Sequence, residues 1–373
     1  MSAVAHYADS SRTFPEVREV PKATSRLSFD HLVGAAGQGQ RDGDPERLGG
    51  LKVQKQFRFT SLRDARAERV IMAKTMEMPM RFIPIGSEFA AEVEGIDLCA
   101  PLDAAAVAMI HAGMDRHAVL VFHDQPLTDE QQIAFTRSLG KIELNTANNV
   151  TRLDQRRLSI EMSDISNLDQ HGNMLARDDR RRAFNLGNRL WHSDSSFKSV
   201  SAKYSLLSAR IIPSAGGNTE FADMRAAYDA LDPEIKAEIE DLITEHSLLF
   251  SRGQLGFTDF TAEERVKFAP VRHRLVRTNP TTGRKSLFLS SHIGGIVGWP
   301  VPEAMAFVRD LTEHATQRQF VYAHTWRQHD LVMWDNRQTM HRARRYKETS
   351  EVRDMRRTTL EGDGPTTLQM AVA

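Results

Sequence analysis

Apolar positions are scarce and unpatterned over the first 71 residues and become periodic from Arg81 onward. The tract GAAGQGQRDGDPERLGG (Gly34 to Gly50) has nothing to bury, the composition of a segment that cannot offset its own ordering entropy. Residues 1–71 are therefore expected to be a disordered extension. Met72, Met76, Met78 and Met80 stand just before the first convincing strand, so a mis-assigned start is the alternative reading. Glu16, Glu19, Asp42 and Glu68 argue against an organelle transit peptide. Residues 72–373 are expected to form a single domain.

From Arg81 the pattern predicts discrete elements. RFIPIGSEFAAEVEGIDL (Arg81 to Leu98) holds β-prone stretches broken by Gly86 and Gly95, and VLVF (Val119 to Phe122) has the length and composition of a buried strand. DAAAVAMIHAGMDRHA between them has helical spacing. TDEQQIAFTRSLG offers a hydroxyl cap at Thr128, Gln131 three residues on, and a stop at Gly140. DPEIKAEIEDLITEHSLL predicts a helix opening at Asp232 and Pro233, and PEAMAFVRDLTEHATQ (Pro302 to Gln317) predicts another.

The second half is richer in strands. YSLLSARIIP, TEFADM, QFVYAHTW, DLVMW and RRTTL all qualify, and LVRTNPTTGRKSLFLS reads as a hairpin turning at Asn279 to Gly283. Strands this numerous, with helices grouped outside them, predict a mainly β sandwich or barrel with helical cover rather than alternating βαβ units. GGN (Gly216 to Asn218) is a turn before the next strand, and no Gly-rich phosphate loop appears.

Charge narrows the partners. Lys plus Arg equals Asp plus Glu at 49 each, which argues against nucleic acid or an acidic membrane as the main partner. The single cysteine, Cys99, supports neither a disulfide framework nor a thiolate-ligated metal site. A reducing, cytoplasmic setting is expected, and no stretch approaches the ~20 apolar residues that cross a bilayer.

The candidate chemistry begins in LWHSDSSF (Leu190 to Phe197). In an extended strand, His192 and Asp194 point to the same side and converge. With 14 histidines in the chain, one H-x-D triplet carries little weight alone, and a histidine hydrogen-bonded in a strand is the plain reading. WDNRQTMHRARRYKETSEVRDMRRTTLEG (Trp334 to Gly362) supplies context: His341 after a strand and turn-like loop, then Arg353 and Arg357 four residues apart. Two His and one carboxylate make a facial triad with three positions left open, a set that suits Fe(II). A zinc hydrolase fits less well, because zinc prefers tetrahedral sites and no general base stands out.

WHSDSSF, PSAGGNTEFADMRAAYDAL (Pro213 to Leu231) and DLVMWDNRQTMHRARRY (Asp330 to Tyr346) resemble the 2-oxoglutarate-dependent dioxygenases related to taurine dioxygenase, most closely the 2,4-dichlorophenoxyacetate dioxygenase branch. The similarity runs from about Phe82 to Leu360. It implies a double-stranded β-helix (jelly roll) core with iron held by His192, Asp194 and His341 at its open end. It implies 2-oxoglutarate as cosubstrate, its far carboxylate on Arg353 with the Thr219 hydroxyl in support and Trp334 lining the pocket. Arg357 matches the position that clamps the acidic head of the substrate, and Asn188 a pocket-lining position. The implied reaction consumes O2, with ascorbate as supporting reductant. It hydroxylates the carbon beside the ether oxygen of a phenoxyacetate-type acid, releasing a phenol and glyoxylate alongside succinate and CO2.

No counterpart to the histidine that helps hold the head group in taurine dioxygenase is evident in SDISNLDQH (Ser163 to His171), which counts against a sulfonate. Taurine, another sulfonate or an alkyl sulfate remains the alternative substrate. A non-catalytic metal-binding jelly roll is the alternative of another class, one with no use for Arg353 and Thr219. Without the resemblance, Arg353 and Arg357 read as exposed partners of Glu348, Glu351 and Asp354, Thr219 as a strand residue, Trp334 as a core aromatic and Asn188 as a turn residue. His324 reads as a core or surface histidine, and RDDRRR (Arg177 to Arg182) as a solvated loop or a lid. The expected partner is a small carboxylate-bearing aromatic molecule, with walls from Asn145 to Gln155 and Leu248 to Phe260, and a homo-oligomer is the default assembly.

Overall fold

The computed structural model describes residues 79–86, 89–145, 151 and 153–368; the expected disordered extension over 1–71 lies outside them. Strands β1 (Arg81–Pro84) and β2 (Ala91–Glu94) pair antiparallel. In β2, buried Ala91 and Val93 alternate with half-buried Glu92 and Glu94, as one wet face requires. Helix α1 (Ala104–His117) starts where the Asp103 carboxylate accepts the Ala106 N–H. Strand β3 (Val119–Phe122) is buried at all four positions, which places it inside a sheet, parallel to β2. Helix α2 (Asp129–Leu139) has the expected capping box between Thr128 and Gln131, worth about 1 kcal/mol of helix stability. Strand β4 (Ser163–Ser166), helix α3 (Arg180–Asn185) and the ten-residue β5 (Ala202–Ile211) follow.

Strand β6 (Thr219–Asp223) runs into α4 (Met224–Asp229), then α5 (Pro233–Ile239). The helix expected to continue to Leu249 ends early, and Ile243–His246 is strand β7. Its β-branched residues fit a pleated surface, and Thr244 and His246 turn inward. Helices α6 (Leu248–Gly253) and α7 (Ala262–Lys267) occupy a stretch partly expected as loop. Strands β8 (Val271–Arg274), β9 (Val276–Thr278), β10 (Lys285–Leu287) and β11 (Ile293–Ile296) precede helix α8 (Val301–Ala315). β9 and β10 form the expected hairpin, with Gly283 in its turn at φ +69°. Strands β12 (Val321–His324), β13 (Leu331–Asp335), β14 (Thr339–Ala343) and β15 (Asp354–Glu361) complete the set.

A seven-stranded sheet has the order β1-β2-β3-β13-β5-β15-β4, and β12-β6-β14 form a three-stranded sheet. A second three-stranded sheet is ordered β11-β7-β8. Alternation within the large sheet divides the core. Leu120, Phe122, Leu206, Leu331 and Met333 pack with Ile110, Met114, Phe135 and Leu139 of α1 and α2. Val119, Val121, Leu207, Val332, Trp334 and Met355 point the other way and meet Phe221 of β6. On its far side the small sheet contributes Ala222 and Met340 to a cluster with Ala304, Val308 and Leu311 of α8. Two sheets therefore face one another, with helices outside both.

Helices hold as many described residues as strands, so the fold is mixed α/β with several sheets rather than mainly β. The difference comes from α3, α4, α6 and α7, six residues each, too short to show a helical period in sequence. None of the described helices is long and apolar enough to cross a membrane.

Candidate functional site

His341 lies within β14, after β13 and the turn that follows it, and faces His192 across an antiparallel bridge. The two residues exchange backbone hydrogen bonds of 3.0 and 2.8 Å, which brings their rings to 4.2 Å between centroids. His192 is extended, but Asp194 opens a turn rather than continuing a strand. The chain is held in that turn by Ser195 at φ +53°, a left-handed conformation unusual for a residue with a Cβ. The imidazole and carboxylate still converge. His192 Nε2 lies 3.8 Å from Asp194 Oδ1, and His341 Nε2 lies 3.7 Å from Oδ2.

Those separations exceed hydrogen-bond reach, so the three donors do not satisfy one another. One ligand atom from each lies within 4.8 Å of the others, and all three residues are buried. His192 Nδ1 is 2.7 Å from the Leu190 carbonyl, a contact that makes Nδ1 the donor and leaves Nε2 with its lone pair. Burial pulls the pKa of both imidazoles down, that of His341 well below its usual value. Burial alone would raise the Asp194 carboxyl, but the Arg357 guanidinium foremost, with the Ser205 hydrogen bond, outweighs it and holds it at about 2. Two neutral imidazoles and an ionised carboxylate form the donor set a divalent cation takes. The site fits a metal.

A buried network not apparent in sequence fixes Asp194. Ser205 of β5 donates to Oδ2 at 2.7 Å. Asn336 donates to Ser205 at 2.9 Å and accepts from both the Asp194 N–H, at 3.1 Å, and Trp334 Nε1, at 3.0 Å. Such partners orient a ligand and set its basicity.

Arg353, immediately before β15, and Arg357, within it, are both turned to one cleft beside the triad, as i and i+4 positions of extended chain dictate. Thr219, Trp334 and Asn188 line the same cleft. Arg353 is 5 % exposed, and none of Glu348, Glu351 and Asp354 pairs with it among the described residues. Burial draws its pKa down to about 10. Trp326 Nε1 donates to Thr219 Oγ1 at 3.0 Å; because indole only donates, the hydroxyl proton of Thr219 stays free for an acceptor. Trp334 is at once a core aromatic and a cleft wall, its ring 4.7 Å from that of His341.

Arg357 Nη1 donates to Asp194 Oδ1 at 2.5 Å, while its Nε has no partner. RDDRRR is not loop throughout: Asp179 caps α3, and Arg180 to Arg182 begin it. Arg182 and Arg189 both bind Glu348 on the segment between β14 and β15, and all three residues line the cleft. His324 is a core histidine bonded to Asp330 at 3.0 Å, and His171 is exposed. Part of the expected Asn145–Gln155 wall, residues 146–150 and 152, lies outside the described residues.

Comparison with known proteins places this geometry. The profile of the taurine catabolism dioxygenase TauD, TfdA family matches residues 81–359. The alpha-ketoglutarate-dependent 2,4-dichlorophenoxyacetate dioxygenase of Cupriavidus pinatubonensis is 47 % identical over 280 residues, covering 75 % of this chain and 97 % of that protein. The (S)-phenoxypropionate/alpha-ketoglutarate-dioxygenase of Sphingobium herbicidovorans is 39 % identical over 268 residues, covering 70 % of this chain and 88 % of its own. The crystal structure of AAD-2 in complex with Mn(II) and N-oxalylglycine superposes with a TM-score of 0.76 at 56 % identity, covering 78 % of this chain and all of that one. The chain belongs to the TauD/TfdA family of alpha-ketoglutarate-dependent dioxygenases and falls in its 2,4-dichlorophenoxyacetate branch.

Proposed function

We propose that this enzyme hydroxylates the carbon beside the ether oxygen of a phenoxyalkanoate acid, on a double-stranded β-helix core formed by its two facing sheets. The hydroxylated phenoxyacetate is a hemiacetal, which collapses to a phenol and glyoxylate, while 2-oxoglutarate leaves as succinate and CO2. We take His192, Asp194 and His341 as the ligands of Fe(II), and residues 72–373 as one dioxygenase domain. The observation that carries the reading is a chamber in which His192 and Asp194 of the triad meet Phe184, Phe197, Leu248 and Arg357. Phe184 and Phe197 suit a ring, and the arginine suits an acid.

Fe(II), when bound, supplies dioxygen activation, with electrons from decarboxylation of the keto acid. The chain's own residues position the reactants. Arg353 and Thr219 receive the far carboxylate of 2-oxoglutarate, the planar fork of the arginine matching two oxygens. Arg357 meets the acid group of the substrate through the N–H groups it does not give to Asp194, which holds the neighbouring carbon at the metal. The Arg182–Glu348–Arg189 bridge ties α3 and the segment before His192 to the segment between β14 and β15 along the cleft wall.

The test is succinate and phenol release with Fe(II), 2-oxoglutarate, ascorbate and a panel of phenoxyalkanoates, cinnamates, taurine and alkyl sulfates. Phenoxyacetate or a 2-phenoxypropionate is expected to give the highest kcat/KM, with phenol in step with succinate. Faster turnover of taurine or an alkyl sulfate would overturn the substrate class.

A further inference from the structure

Arg353 has a counterpart in a second chamber beside the triad. Arg252, in α6, lines it with Phe184, Phe197, Leu248 and His292. That chamber shares His192, Asn188 and Arg357 with the cleft that holds Arg353. Arg252 is 6 % exposed. Its Nη1 donates to Ser251 Oγ at 3.2 Å, and its Nε has no partner. Its guanidinium lies over the Phe184 ring, 4.5 Å from the centroid. No acid pairs with it among the described residues, and burial alone draws its pKa down to about 10, so it stays charged at neutral pH.

A buried, charged fork using so few of its five donors is destabilising unless a ligand completes it. Other buried arginines differ. Arg225 pairs with Asp223 and caps two backbone carbonyls. Arg277 has Asp335 and Asp363 within electrostatic range and lines neither chamber. Only Arg252 and Arg353 of these combine burial, no acidic partner and a place in a chamber wall.

Resting on the phenoxyalkanoate reading above, we propose that Arg252 is a second anchor for the substrate's carboxylate and a determinant of the preference for an acid. Arg357 has one nitrogen committed to Asp194, so it cannot turn its whole fork on the substrate. Arg252 adds a second fork, bonded only to the neutral Ser251 hydroxyl and not to an acid. Two guanidinium groups converging on one carboxylate, with aromatic walls behind them, select a monoanionic head on a ring-bearing molecule.

Gly187 provides a variant that leaves the charge in place. A Cβ built there would lie 2.2 Å from Arg252 Cζ and Nη1. Alanine at 187 therefore displaces the far end of a flexible side chain rather than backbone.

The experiment is calorimetric titration of the full chain, loaded with Mn(II) and 2-oxoglutarate without oxygen, using phenoxyacetate and its neutral isostere phenoxyacetamide. The wild-type protein is expected to bind the acid more tightly than the amide by about tenfold or more, as a charge-assisted contact requires. Arg252→Met is expected to lower that ratio by about threefold or more, Arg357 keeping the rest, Gly187→Ala to reduce it and Arg252→Lys to retain part of it, with 2-oxoglutarate affinity unchanged within about twofold. An acid-to-amide ratio equal to wild type in both Arg252→Met and Gly187→Ala would overturn the assignment and leave Arg252 a packing residue. A ratio near one in the wild-type protein would instead refute the acid-substrate reading itself, while intact 2-oxoglutarate binding would leave the enzyme class standing.

Discussion

Arg357 Nη1 and Asp194 Oδ1 are 2.5 Å apart, so the arginine we propose as the clamp on the substrate's acid group also binds the carboxylate of the triad. The two roles make opposite demands on metal affinity. As a cation beside Asp194, Arg357 competes with a metal for the same oxygen, whereas its fork favours an acidic substrate. At neutral pH Asp194 is ionised with a wide margin. Arg357→Ala is therefore expected to raise the KM for a phenoxyalkanoate by about tenfold or more, while Mn(II) is held at least as tightly as in the wild type. Steady-state kinetics paired with metal titration measures both, and a weakened metal site would show that Arg357 chiefly orients Asp194.

Asn336 and Ser205 have no reactive role to lose, which isolates their effect on Asp194. Ser205→Ala removes the donor to Oδ2, and Asn336→Ala removes the acceptor that fixes the Asp194 N–H. Partners of this kind are typically worth about 10–100-fold in metal affinity. Each variant is expected to lose metal affinity within that range while the fold persists. Competition titration with a metal-binding dye checks this, and wild-type affinity in both variants would reduce the network to packing.

How legible this site is in sequence depends on the range over which each residue is fixed. The α2 cap is readable because Thr128, Gln131 and Gly140 are local and the fold leaves their chemistry unchanged. Arg353 and Arg357 are readable as a pair because i and i+4 share one face of extended chain. His192 and Asp194 converge as their spacing suggests, but through the turn at Ser195 rather than a continuous strand. Ser205 reaches Asp194 only because β5 lies beside β13 and β15, a register that no local pattern encodes. Arg252 is obscured the same way, on a six-residue helix with no period of its own. β7 was hidden by an apolar run continuous with the helix before it.

Arg353 separates function from stability. Its buried charge has no acidic partner among the described residues, the proposed one being the cosubstrate carboxylate, and removing an uncompensated buried charge relieves a penalty. Arg353→Met is expected to weaken 2-oxoglutarate binding by about tenfold or more while raising the Tm of the cosubstrate-free protein. Thr219→Val, which removes one hydroxyl donor, is expected to weaken it less, by about two- to tenfold. Thermal unfolding with and without 2-oxoglutarate separates the effects: the ligand-induced rise in Tm should shrink as the baseline climbs. A lower baseline Tm in Arg353→Met would show that the arginine is structural.

His273 of β8 sets a pH dependence away from the triad. Its ring lies between the Lys198 carbonyl, 2.9 Å from Nε2, and Thr366 Oγ1, 2.9 Å from Nδ1. Arg274 N–H already donates to Thr366 Oγ1, so the hydroxyl proton turns to Nδ1 and the ring is neutral with its hydrogen on Nε2. Burial, helped by Arg277, lowers the pKa from 6.5 to about 4. The unfolded chain therefore takes up this proton first as pH falls. Stability from His273 is complete above about pH 6.5 and is lost progressively toward pH 4, at most about 3 kcal/mol. His246, edge-to-face with it at 5.0 Å between ring centroids and also held down by burial, acts in the same direction. Urea unfolding of metal-free protein between pH 7 and 4 should thus show stability falling with pH. His273→Gln, which keeps a donor for Lys198, should make that fall shallower without abolishing it, because His246 remains. An identical slope in wild type and variant would mean that His273 is already protonated in the folded state.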